Sequence, residues 1–407
     1  MSWRATTLGD LIEGDAADIQ TGPFGTQLKA SDYVDEGTPV INVRNIGFGG
    51  LKPEKLEFVT EGTAERLASH LLEPRDIVFG RKGAVDRHLY VNNEQENWMQ
   101  GSDCIRLRFF TKEVVPRFIS YSFLTEAHQK WMLAQAGNKA TMASLNHDII
   151  KRIVLRLPSP KVQEATVAIL SAYDDLIENN RRRMALLEEA ARQLYREWFI
   201  RLRFPGHEHR RITNGVPEWW ERKRLAEVAE INRESLPNSF DAEIEYIDIS
   251  SVTPGNINET TRCDFRDAPS RARRVVQHGD IIWSCVRPNR RSYAVIWQPG
   301  SSLIVSTGFA VITPMSIPTA FLLQTTTTDA FVGYLGNHAR GAAYPAVVAG
   351  DFERFEILIP RSSLVAAFNE QAEPLLSQAH TLRLQNGRLR AARDLLLPRL
   401  MNGGIAV

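Results

Sequence analysis

"YDDLIENNRRRMALLEEAARQLYREW", residues 173–198, decides the architecture. Tyr173, Ile177, Asn180, Met184, Leu187, Ala191, Leu194 and Trp198 follow one another in alternating steps of four and three, the a/d seam of a coiled coil. Moving that set 202 residues along the chain lands on Leu375, Ala379, Leu382, Asn386, Leu389, Arg393, Leu396 and Leu400, a second seam of the same period. One such stripe alone would be read as a helix packed on its own domain. Two equivalent stripes predict two long helices packed on each other, with Asn180 and Asn386 as polar residues that set the register. Arg393 is the irregular member, and near a helix end its stem can pack while its head reaches water.

The seams belong to a repeat that runs through the whole chain. "WRATTL" (3–8) and "WERKRL" (220–225) open the two halves, each with a tryptophan five residues before a leucine. "RDIVFGRKG" (75–83) matches "GDIIWSCVR" (279–287): an acid, three apolar strand residues and a basic turn. "IVLRLPSP" and "FEILIPRS" are strand-like runs closed by Pro158 and Pro360, each leading into a helical segment. The predicted fold class is α+β: two mixed α/β domains separated by two long antiparallel helices that form an intramolecular coiled coil, with a pseudo-twofold internal repeat. The corresponding boundaries are a first domain at 1–158, a central helix at 159–205, a second domain at 206–360 and a C-terminal helix at 361–407. About forty residues of helix span roughly 60 Å, enough to hold two domains about one turn of DNA apart, roughly 34 Å.

Composition sets the outer limits. A chain of 407 residues, 43% hydrophobic and 24% charged, can build two or three ordinary cores. It has no run of eighteen apolar residues, and "MSWRATTLGDLIEGD" lacks the basic-then-apolar pattern of a signal peptide, so a cytoplasmic location is expected. Cys104, Cys263 and Cys285 are too scattered for a disulfide framework or a zinc site and are expected as buried thiols. The formal net charge of +1 conceals local asymmetry.

That asymmetry centres on "RARRVVQHGDIIWSCVRPNRR", residues 271–291. From Arg262 to Arg291 eight arginines face three acids, Asp264, Asp267 and Asp280, with no lysine. A planar guanidinium fork suits phosphate oxygens and the major-groove edge of guanine better than an ammonium does, so DNA is the expected ligand. The candidate DNA-binding residues in the second half are Arg271, Arg273, Arg274, Arg287, Arg290, Arg291 and Arg340. The first half has a thinner set: Lys29 in "TGPFGTQLK", then Arg81, Lys82 and Arg87 after the matching strand, and Lys139 in "GNKATM". Gly22 and Gly25 are expected in a tight turn; for Phe24 the two readings are packing beneath that turn and contacting a base, and core packing is the one expected.

The enzyme readings fail on missing parts. "TGPFGTQLK" lacks P-loop spacing, "IGFGGL" (46–51) lacks a dinucleotide-binding context, and "PRDIVFGRK" (74–82) places Gly80 where a nuclease needs a second acid. The Asn-Pro-Pro-aromatic tetrapeptide of amino-methylating DNA enzymes is missing too. His147 beside Asp148 and His278 near Asp280 are expected to be solvated or capping histidines. No catalytic residue and no metal ligand is assigned. A self-contained DNA methyltransferase and a coiled-coil adaptor that binds only protein are the alternative classes.

"TGPFGTQLKASDYVDEGTPVINVRNI", "ARRVVQHGDIIWSCVRPN", "PKVQEATVAILSAYDDLIENNRRRMALLEEAARQLYREWF" and "NGRLRAARDLLLPRLMNG" together resemble the DNA specificity subunit of type I restriction-modification systems, over essentially the whole chain. The resemblance implies two target-recognition domains, each reading half of an asymmetric bipartite DNA site, with the helices setting the spacing. It also implies a non-catalytic subunit without its own cofactor. Two methylation subunits would supply S-adenosylmethionine-dependent adenine methylation, and two motor-nuclease restriction subunits the ATP- and Mg-dependent translocation and cleavage.

Overall fold

Ser159 and Pro160 begin the central helix. Proline at the first helical position has no N–H to leave unsatisfied, and the Ser159 carbonyl accepts from the N–H groups of Val162 and Gln163. In the computed structural model, which describes residues 3–136, 144–213 and 215–407, this helix spans Pro160–Tyr195 and passes into a π-helical turn, Arg196–Ile200. Its counterpart spans Ser362–Met401. The chain divides into two compact units, Met1–Glu178 with Gly387–Val407, and Asn179–Asn386. Both divisions fall inside the long helices, so each unit holds a stretch of each helix.

Every seam position is buried or half-buried. Within the second unit, Asn180 Nδ2 donates to Asn386 Oδ1 at 3.0 Å. Arg383 donates to Glu188 and to Asn256, both at 2.8 Å, and the rings of Tyr195 and Trp198 lie 5.9 and 6.2 Å from that of Phe368. Rising numbers on one helix meet falling numbers on the other, so the stretches run antiparallel. Within the first unit, Leu170 shares a core with Leu397 and Leu400. There the head of Arg393 does not simply reach water: it donates to Asp174 at 2.6 Å. The other oxygen of Asp174 accepts from Tyr121 at 2.7 Å and from Arg117 at 3.2 Å, tying both helices to the globular part of their unit.

Each unit is mixed α/β. In the first, a five-stranded sheet runs in the order Ala17–Thr21, Cys104–Phe109, Ile77–Gly80, His88–Tyr90, Phe48–Gly49, antiparallel except for its last pair. In the second, the corresponding sheet is Ala229–Ile231, Phe309–Pro314, Ile281–Ser284, Tyr293–Val295, antiparallel throughout. A second four-stranded sheet accompanies each.

The repeat persists down to single hydrogen bonds. Leu8 N–H donates to Ile153 O at 2.9 Å as Leu225 N–H does to Phe355 O at 2.8 Å. The buried carboxylates of Asp76 and Asp280 each accept from the backbone three residues earlier, Glu73 and Gln277, at 2.8 Å. Their position explains the recurring acid before each central strand: it closes the turn that aims the strand into the core.

Among the thiols only Cys104 is buried; Cys263 and Cys285 are half-buried, against the expectation of three buried cysteines. Burial pushes the Cys104 thiol up to about 12 and that of Cys285 up to about 11, so neither is a thiolate near neutral pH. Among the described residues no helix is long and apolar enough to cross a membrane.

Two outcomes follow from this packing. Asn180→Leu removes the donor that Asn180 offers across the seam and is expected to cost about 1–3 kcal/mol; replacing Asn386 by leucine as well should recover most of that loss, as measured by urea unfolding of the two variants. The second concerns His88, fully buried with Nε2 2.8 Å from Ser120 Oγ. Burial lowers it from 6.5 to about 3, and lowers the neighbouring His128 to about 4. Below pH 6.5 the unfolded chain takes up these protons and the folded one does not. Stability that is complete above pH 6.5 is therefore lost as pH falls toward 4, by about 2 kcal/mol per histidine between pH 7 and pH 5. Urea unfolding at the two pH values should show this loss, and His88→Gln should remove about half of it.

Candidate nucleic-acid interface

In an antiparallel sheet the end of one strand lies beside the start of the next, so the loops at one end of the sheet gather on one face. In the second unit these are 285–292, between two central strands, and 307–308, before Phe309–Pro314. Segment 339–348 joins them through backbone bonds. Cys285 N–H donates to Gly308 O at 2.8 Å, Val347 N–H to Cys285 O at 2.9 Å, and Val286 bridges Ala346. The first unit builds the same frame: Arg81 N–H to Asp103 O at 2.7 Å, Leu145 N–H to Arg81 O at 2.7 Å, and a Lys82–Ser144 bridge.

The arginine loop is held in an uncommon backbone conformation. Arg287 and Arg291 both adopt positive φ, 50° and 53°, on either side of the tight turn Pro288–Arg290. The Arg287 guanidinium lies over the Tyr344 ring at 4.7 Å and donates through Nη2 to Ala343 O at 3.2 Å. Its own N–H donates to Pro345 O at 2.7 Å. Tyr344 is 70% exposed. Arg290 is exposed on the turn, and Arg340 is exposed at the start of a backbone pair with Ala346, at 2.8 and 2.9 Å. Arg291 pairs with Asp329.

The remaining arginines of the cluster are engaged elsewhere in the unit. Arg271 binds Asp248 at 2.7 Å and the Tyr246 hydroxyl at 3.2 Å. Arg273 covers the Phe265 ring at 4.3 Å, and Arg274 donates to Ser235 Oγ at 3.1 Å. All three belong to the second sheet, at or beside its strand Ala272–Val275. The structure thus brings together Arg287, Arg290 and Arg340, and adds Tyr344, which the sequence reading did not select. The available signal was weak: a lone aromatic in the small-residue run "RGAAYP" (340–345).

In the first unit, Lys82 is exposed and paired with Asp103 at 3.2 Å, while the Arg87 guanidinium lies over the Phe48 ring at 5.0 Å. Arg81 is half-buried and held through its backbone. Lys29 is exposed but stands apart, beside Leu28, which is buried against the second sheet. Lys139 lies outside the described residues. Phe24 is 63% exposed, so it does not pack beneath its turn as expected. Of the turn glycines, Gly25 takes a positive φ of 63°, whereas Gly22 is required by close approach: a Cβ there would stand 1.9 Å from Gly101 O. His147 lies 2.9 Å from the Thr21 hydroxyl through Nε2, and burial lowers its pKa. His278 accepts from Gln298 N–H at the opposite end of its strand from the arginine loop. Among the described residues no group of three or more His, Cys, Asp or Glu side chains could hold a metal ion.

Residues 3–189 match the family model for the type I restriction modification DNA specificity domain. The MjaIX specificity subunit, a type I restriction enzyme component of Methanocaldococcus jannaschii, is 23% identical over 310 residues, covering 72% of this chain and 70% of that protein. The HindI specificity subunit of Haemophilus influenzae is 19% identical over 408 residues, covering 83% and 88%. In fold the chain is similar to the crystal structure of a type I restriction-modification S subunit from M. genitalium, with a TM-score of 0.60 at 14% identity over 98% of this chain and 96% of that one. A repeated domain with strand-end loops joined by the same bonding frame, two helices carrying matching seams and these relatives lead to one assignment: residues 3–189 form a type I restriction modification DNA specificity domain, and the chain as a whole is similar to the specificity subunits of type I restriction enzymes.

Proposed function

We propose that each unit reads one half of an asymmetric, bipartite DNA site and that the paired helices set the spacing between the halves. The observation that carries this reading is the duplicated frame of strand-end loops, 81–87 with 144–145 and 285–291 with 339–348, whose loops carry basic side chains in both units: Arg81, Lys82 and Arg87 in the first, Arg287, Arg290 and Arg340 in the second. In this reading, side chains on the loops position the duplex through phosphates, and a few of them read base edges. DNA binding by the chain alone is then weak and steeply salt-dependent. The chain works in the cytoplasm with two methylation subunits, which bind S-adenosylmethionine and methylate adenine. Two restriction subunits contribute ATP- and Mg-dependent translocation and cleavage, and this chain holds none of these cofactors itself. The seam supports the spacing role, because an antiparallel pair with a fixed polar register is stiff and of defined length.

The test is modified-base sequencing of DNA from an unmodified host that expresses this chain with its cognate methylation subunit. A split asymmetric motif, methylated on both strands and lost when either chain is omitted, is expected; a stable complex that methylates no new motif would count against the reading. In the same assay Arg287→Ala is expected to weaken or relax one half-site and leave the other intact. One heptad added to each helix lengthens the pair by about 10 Å, and the recognised spacer should grow by about three base pairs.

A further inference from the structure

We infer that Tyr344 is a specificity-determining positioning residue that holds the Arg287 guanidinium as a reader of one guanine. This inference rests on the DNA-reading function proposed above. An arginine on a surface loop ordinarily samples many rotamers, and ordering it on binding costs affinity. Here three features order it in advance. The backbone is fixed at a φ of 50° by the bond from Arg287 N–H to Pro345 O. The guanidinium rests over the Tyr344 ring, its central carbon 4.7 Å from the ring centroid, and one of its N–H groups is committed to Ala343 O. Four of the five guanidinium N–H groups are left for a ligand, enough for the bidentate contact to guanine O6 and N7.

Phosphate contact alone would not call for this arrangement. A phosphate accepts a charge from many directions and tolerates a mobile side chain, whereas a base edge demands a plane and an angle. Arg290 and Arg340, exposed on the same two loops, are suited to the backbone contacts. The first unit reaches a similar device from different residues, with Arg87 of its strand-end loop over the half-exposed ring of Phe48. Arginine on an exposed aromatic thus occurs in both reading loops without sequence correspondence between the aromatic partners.

The experiment is methylated-motif sequencing of the complex carrying Tyr344→Ala, Tyr344→Phe or Arg287→Lys. Tyr344→Ala and Arg287→Lys are expected to make one guanine of one half-site degenerate, with discrimination at that position reduced about 5- to 150-fold. The other half-site keeps its stringency and so reports that the complex is folded. Tyr344→Phe keeps the ring face and should retain the parental motif. An unchanged motif in Tyr344→Ala overturns the inference, as does relaxation at a base other than guanine. A uniform loss of methylation with stringency intact, accompanied by near-normal activity of Arg287→Lys, identifies a phosphate contact and overturns it as well. If the unaltered complex yields no split motif, the reading function itself fails and takes this inference with it.

Discussion

Neither long helix can cover its own apolar stripe, and that constraint organises the chain. In the second unit the stripe of the central helix is closed by the C-terminal one through Asn180 with Asn386 and Tyr195 with Phe368. In the first unit the closing contacts are Leu170 with Leu397 and Leu400, and Asp174 with Arg393. Because the partner stretches lie about two hundred residues apart, neither unit is complete until the end of the chain has been threaded back. The polar contacts matter for register more than for energy: an apolar seam could slide by a heptad, whereas Asn180 finds Asn386 in only one alignment.

The globular parts use one frame twice, and that frame is made of backbone bonds. Backbone bonds from Arg81 or Cys285 to the adjoining segments recur nearly bond for bond and require no particular side chain. Folding is thus carried by strands such as Ile281–Ser284, and in the function proposed above contact with DNA falls to loop side chains such as Arg287. Arginine density alone is a poor guide. Arg271, Arg273, Arg274 and Arg291 are engaged by Asp248, Phe265, Ser235 and Asp329, so about half of the cluster serves the unit's own packing.

Much of the architecture was legible before any coordinates. The seam positions, the strands ending at Pro158 and Pro360 and the acid before each central strand depend on period and local chemistry, and such patterns survive in one dimension. The candidate site was legible only in part. Of the first-half cations, Lys29 follows Leu28, which turns into the second sheet, while Lys82 pairs with Asp103 and Arg87 lies over Phe48. Phe24, for which core packing was the expectation, is exposed, while Gly22 packs directly against the Gly101 backbone.

By itself the sequence determined the two helices, their shared register and the duplication, since a heptad seam and a repeat are written in spacing, and spacing is conserved by any fold that buries the apolar face. Only the tertiary structure decided which arginines are left to meet a ligand. Whether a guanidinium is spent or available depends on what stands within a few ångströms of it. For Arg287 that neighbour is Tyr344, 57 residues on, brought across by the backbone pairing of Val286 with Ala346. No local pattern records that encounter, because it is made by the sheet and not by the loop.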